Sequence, residues 1–105
     1  LKDPFYKKII DSTYRFLRHR LNVEEGTTIL LAVSGGVDSV VMLDILYNLT
    51  SRYRIGLDIA HYNHNLRGQA SIEDEKFVRG LAEFYGLQYH FTNGNVKDNA
   101  EKHNL

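Results

Sequence analysis

The stretch ILLAVSGGVDSVVML, residues 29–43, restricts the fold of this chain more than any other. A continuous apolar run from Ile29 to Val33 stops at Ser34, two glycines and a valine follow, and Asp38-Ser39 opens a second apolar run. A short unbroken apolar run fits a strand buried on both faces, as in a parallel sheet. Val40 to Leu49 is apolar nearly all round, which suits a helix packed against that sheet. The junction between them is therefore a strand–turn–helix crossover.

The remaining sequence repeats this alternation. Ile10, Tyr14, Leu17 and Leu21 recur at helical spacing, with Phe5, Ile9 and Phe16 widening the stripe and Pro4 suited to the first turn. Gly26-Thr27 closes the link that follows. Arg54 to Ala60 (RIGLDIA) alternates as a second strand, and HYNHNLRGQ reads as a polar loop. Ser71 is placed as an N-cap with Asp74 at N3. Phe77, Val78, Leu81, Ala82 and Tyr85 form one helical face, which Gly86 closes at the C-cap position. Leu87 to Thr92 is a third, weaker strand, and Val96 to Ala100 hints at another helix.

The order α-β-α-β-α-β implies crossover connections and an α/β, doubly wound, Rossmann-like parallel sheet. Three strands are few for that architecture, and Leu1 is not an initiator methionine. The expectation is the N-terminal part of a larger domain: a leading helix and linker over 1–28, a βαβαβ core over 29–105, and further strands beyond Leu105.

A chain of 105 residues bounds the content at one domain. Thirteen Lys+Arg balance thirteen Asp+Glu, so net charge lends no support to nucleic-acid binding. The basic residues Lys2, Lys7, Lys8, Arg15, Arg18 and Arg20 crowd the first twenty positions against Asp3 and Asp11, and read as a solvated helix face. The chain has no cysteine, which excludes a disulfide framework and a thiolate metal site. No apolar stretch reaches the length of a membrane span and no signal peptide is visible, so no membrane association and a cytoplasmic location are expected.

Ligands of open parallel sheets sit beyond the carboxyl ends of the strands, where Ser34–Ser39 falls. Adjacent glycines permit positive φ and close approach of backbone to ligand. The following helix end offers unpaired N–H groups and about half a positive charge. Ser34 and Ser39 add hydroxyl donors. The motifs GxxxxGK[ST], GxGxxG and GxSxG are all absent, which argues against a Walker A loop, a dinucleotide fingerprint and a nucleophile elbow. Asp38 has two readings here: a helix cap, or a holder of Mg²⁺ that bridges to a phosphate. His61 and His64 lack a third metal ligand. The bland reading of their loop is an exposed turn with Arg67 paired to a carboxylate; the functional one makes Arg67 a phosphate or substrate contact and the histidines a wall for a nucleotide.

Ser34-Gly35-Gly36-Val37-Asp38-Ser39 after a strand resembles the SGGxDS loop of the PP-loop, or N-type ATP pyrophosphatase, superfamily. The resemblance implies that ATP is cleaved between its α and β phosphates, that these six residues cradle the pyrophosphate, and that Mg²⁺ lies nearby with Asp38 as its holder and the catalytic residue. His61-Tyr62-Asn63-His64-Asn65-Leu66-Arg67, with Ser71, Asp74, Glu75, Phe77 and Val78, is similar to the HxNHxLR…S..DE.FV signature of tRNA(Ile)-lysidine synthases. Asn95 stands where that family often has aspartate.

This second resemblance implies a ligase that transfers AMP to C2 of the wobble cytidine of tRNA(Ile) with a CAU anticodon. Free L-lysine then displaces AMP. His61, Asn63 and Arg67 join the expected nucleotide contacts, and adenine is expected near the strand end Ile59–His61. A homodimer is left open. The rivals are another PP-loop enzyme, such as a tRNA thiolase or amide-forming synthetase, and a non-catalytic adenine-nucleotide module. The 105 residues alone are expected to bind nucleotide weakly and to lack ligase activity.

Overall fold

The computed structural model describes residues 3–63 and 68–93. Helix α1 (Pro4–His19) begins with Pro4 at its first position, and Asp3 caps it by accepting a 2.9 Å bond from the Phe5 N–H. Strand β1 (Thr28–Ala32) leads through the glycine turn into α2 (Val37–Arg52). Strand β2 (Gly56–Asn63), helix α3 (Gln69–Tyr85) and strand β3 (Tyr89–Asn93) follow. The sheet has the order β1-β2-β3 and both pairings are parallel, with Thr28 opposite Gly56 and Ile59 opposite Tyr89. The expected alternation and the parallel sheet are both present. The hinted helix at Val96–Ala100 lies outside the described residues.

One apolar core joins the helices to a single face of the sheet. Ile10 of α1, Leu43, Leu46 and Leu49 of α2, and Val78 and Ala82 of α3 close over Leu57 and Ile59 of β2. Among the described residues no helix covers the opposite face. Leu30 is 59% exposed, and the burial of β1 alternates instead of being complete on both sides, as its unbroken apolar run had suggested. The reason is topological: β1 is an edge strand of these three, and the described helices cover one side.

Three further expectations are corrected. In α1 the buried stripe runs through Tyr6, Ile10, Tyr14 and Leu17, whereas Phe5 and Phe16 face solvent and Leu21 falls past the helix end. Tyr6, not Phe5, lies one turn before Ile10, and it reaches α2. Ser71 is not the N-cap of α3. Gly68, at φ 56, turns the chain into the helix, and its carbonyl accepts the N–H of Ser71 at 3.1 Å and of Ile72 at 3.3 Å. Residues 61–63, read as loop, extend β2. At the other end of α3, Gly86 adopts the left-handed conformation (φ 68, ψ 34) expected of a C-cap.

Asp44 ties the helices together. The Tyr6 hydroxyl donates to its Oδ2, and the Tyr85 hydroxyl donates to its Oδ1 at 3.0 Å. Burial and the Asp44 carboxylate push the Tyr6 hydroxyl up to about 12 and raise Tyr85 as well. The Tyr14 and Tyr53 rings stack at 3.6 Å. Tyr53 donates to Asp11 at 2.7 Å beside Arg52, and that hydrogen bond, ahead of the guanidinium charge, holds the Asp11 carboxyl below its ordinary range.

Candidate functional site

The turn between β1 and α2 closes a ring of hydrogen bonds. Gly36 N–H donates to Ser34 Oγ at 3.2 Å, and Ser39 Oγ donates to the Gly36 carbonyl at 3.0 Å. The two hydroxyl oxygens stand 3.1 Å apart. Since the single Ser39 hydroxyl proton goes to Gly36, the proton between the two serines belongs to Ser34. Both hydroxyls, expected as donors to a ligand, thus serve the turn itself here. Only Gly35 of the glycine pair has positive φ (+97); Gly36 is extended at φ −76, ψ 165.

Gly36 is the N-cap of α2 and supplies no side chain to it. The N–H groups of Val37, Asp38 and Ser39, which precede the first intrahelical bond from Val40 N–H to the Gly36 carbonyl at 3.1 Å, have no acceptor among the described residues. Asp38 sits inside the first turn, not at the cap, so the capping reading of this residue is corrected. Its carboxylate is exposed and bonded to no described residue. The arrangement can accept an anion on backbone N–H groups, and Asp38 is a hard oxygen ligand of the type Mg²⁺ takes.

α3 stands behind this turn. A Cβ placed on Gly35 would lie 3.7 Å from Phe77 Cδ2, 3.8 Å from Val78 Cγ2 and 3.9 Å from Asp74 Oδ1. The sequence signal for that contact was the spacing of Asp74, Phe77 and Val78, which was read as a helix start and an apolar face.

β2 supplies the other side. His61 and Asn63 are 7% and 6% exposed and point to the helical layer. His61 Nδ1 lies 2.7 Å from the Val33 carbonyl, and Asn63 Nδ2 donates to the Ser71 carbonyl at 3.2 Å. The bond to Val33 carries no periodic or motif signature and was missed from sequence. A pocket of about 170 Å³ at the strand ends is lined by Ala32, Val33, Ser34, Ala60, His61 and Tyr62. Ala60 and His61 of this lining belong to the stretch Ile59–His61 expected to receive adenine. A hollow of about 190 Å³ on Arg18, Asn22, Val23 and Glu24 lies on the link feeding the opposite end of β1. Among the described residues no group of three or more His, Asp or Glu side chains could hold a metal. No described helix is long and apolar enough to cross a membrane. His64 and Arg67 lie outside the described residues.

Residues 7–105 match the PP-loop domain family. The chain is 38% identical over 88 residues to the tRNA(Ile)-lysidine synthase of Clostridium tetani, covering 83% of this chain and 19% of that protein. It is 47% identical over 76 residues to the Geobacter sulfurreducens lysidine synthase, covering 72% and 16%. The chain thus spans about a fifth or less of the length of these curated relatives. Among solved structures, the U34-tRNA thiolase NcsA of Methanococcus maripaludis superposes with a TM-score of 0.68 at 21% identity, over 90% of this chain and 31% of that one. That likeness concerns the fold alone. Strand, turn, helix and sequence agree, and this chain belongs to the PP-loop domain family.

Proposed function

We propose that this chain is the ATP-binding part of a tRNA-modifying ligase that joins lysine to C2 of the wobble cytidine of tRNA(Ile). The observation that carries the reading is the glycine turn, whose three N–H groups without an acceptor among the described residues lie at the carboxyl edge of a parallel sheet, where they could receive an anion. The relatives named above supply the substrate class, which is otherwise beyond the reach of this fold.

In this reading the N–H groups of Val37, Asp38 and Ser39 hold the β and γ phosphates of ATP, with Gly35 supplying the positive φ of the turn and Gly36 keeping the approach clear. The hydroxyls of Ser34 and Ser39 hold the turn in shape. Asp38 would hold Mg²⁺, which when bound offsets charge gathering on the departing pyrophosphate. Adenine would rest at the ends of β1 and β2, against Ala32, Ala60 and Tyr62. The cytidine O2 attacks the α-phosphorus and pyrophosphate leaves; the lysine amine then attacks C2 and AMP leaves. The contribution of these residues is positioning and charge stabilisation, and proton removal from lysine falls to groups elsewhere in the protein.

The test uses the full-length protein with tRNA(Ile), ATP and labelled lysine. Lysine transferred to the tRNA, with AMP and pyrophosphate released together, is the expected result. Transfer of another group to the tRNA, or pyrophosphate release that leaves lysine unincorporated, refutes the reading.

A further inference from the structure

We propose that His61 is a positioning residue for the glycine turn, acting through the Val33 carbonyl and not by touching the nucleotide. The inference rests on the ATP-binding reading above. The ladder between β1 and β2 ends at the pair Ala32–Ala60, and the chain leaves the sheet immediately afterwards. Val33 stands at that exit. Its N–H still reaches the Ala60 carbonyl at 2.8 Å. Its carbonyl belongs to a residue only 2% exposed, so it has little access to water, and a buried carbonyl without a donor is costly.

The donor comes from a side chain of the neighbouring strand: His61 Nδ1, at 2.7 Å. A carbonyl oxygen only accepts, so Nδ1 carries the proton. The ring is itself held. It is 7% exposed and lies nearly parallel to Phe91, 10° between planes at a centroid distance of 6.2 Å. Both backbone groups of Val33 are therefore anchored to β2, one by main chain and one by a fixed imidazole. Ser34 follows directly, and the path into Gly35 and the three unspent N–H groups starts from this anchored peptide. An error in that starting point would misplace every donor of the turn together, and such positioning carries much of the value of a preorganised site.

The geometry of substituted side chains separates this role from direct contact. An asparagine amide nitrogen falls close to the position of Nδ1, a glutamine amide nitrogen close to that of Nε2, and leucine has neither. In the full-length protein, ATP affinity measured by calorimetry should fall about five- to tenfold in His61→Gln and His61→Leu, the loss of roughly one hydrogen bond. His61→Asn should recover most of that loss. Circular dichroism checks that each variant is folded. Independently of any ligand, ¹⁵N shifts of histidine-labelled wild-type protein should show His61 protonated at Nδ1.

Glutamine retaining affinity while asparagine loses it would overturn the proposal, because it points to a contact through Nε2. Three variants that bind alike, whether as well as wild type or equally poorly, overturn it too, as does a ring protonated only at Nε2. If wild-type protein binds no ATP, the functional reading fails, and the ¹⁵N measurement still decides the Val33 contact.

Discussion

Substituting Gly35 and Gly36 separately by alanine tests the turn most directly, because the two glycines do different work. At Gly35 there is room: an added Cβ meets Phe77, Val78 and Asp74 at 3.7–3.9 Å, ordinary contact distances. The cost is conformational, since φ +97 is a region an alanine rarely adopts, and such backbone strain amounts to about 1–3 kcal/mol. At Gly36 the backbone (φ −76, ψ 165) suits any residue, and the Cβ would stand 3.5 Å from Ser34 Oγ. Alanine is a poorer N-cap than glycine by about 0.5–1 kcal/mol, and it removes a similar amount of unfolded-chain entropy, so Gly36→Ala should be nearly neutral in stability. Hydrogen exchange of amides in β1 and the start of α2, read by mass spectrometry in the full-length protein, converts these figures into rates. Gly35→Ala should exchange about five- to a hundredfold faster there, and Gly36→Ala within about twofold of wild type. Gly36→Ala should nonetheless weaken ATP binding if the proposed function holds, because its methyl would then stand where phosphate oxygens are proposed to approach the backbone. Wild-type exchange in Gly35→Ala, or equal acceleration in both variants, would refute the assignment of strain to Gly35 alone.

Two further outcomes are expected. Asp38 is exposed and caps nothing, so Asp38→Asn should leave the melting temperature unchanged while Mg²⁺-dependent ATP turnover of the full-length protein drops by about tenfold or more; unchanged turnover would remove Asp38 from the site. The Tyr6 hydroxyl is held up to about 12 against an ordinary value of 10.0, so its contribution to stability is complete below pH 10 and is lost as pH rises from 10 to about 12. Urea titrations across that window should show stability falling with pH, and Tyr6→Phe should flatten the slope; an unchanged slope in the variant would deny Tyr6 its part.

The element order, the parallel sheet and the glycine turn were legible in the sequence because they rest on local patterns. An apolar run, a glycine pair and a following apolar helix specify a strand–turn–helix with few alternatives, and the Gly86 cap follows from the left-handed conformation that glycine tolerates. The sequence left Asp38 open between a helix cap and a Mg²⁺ holder, and the structure removes the first of these readings. That distinction depends on where the first helical bond forms, and Val40 closes onto Gly36.

Contacts between distant segments were not legible. Tyr6 was passed over in favour of Phe5 because the sequence shows a helical stripe but not which side of it meets α2, and Asp44, thirty-eight residues away, settles the matter. The continuous run in β1 was read as buried on both faces, whereas its exposure depends on whether a second layer covers the sheet. His61 was read from its motif as part of a loop. Strand pairing with β3 carries β2 through His61 to Asn63, and this turns the imidazole inward onto Val33. By itself the sequence determined the kind of turn and its position along the chain, since backbone conformation and periodicity are encoded over a few residues. Only the tertiary structure decided which donors of the turn are spent and what holds it in place. Those answers depend on hydrogen bonds and burial between segments brought together by the sheet.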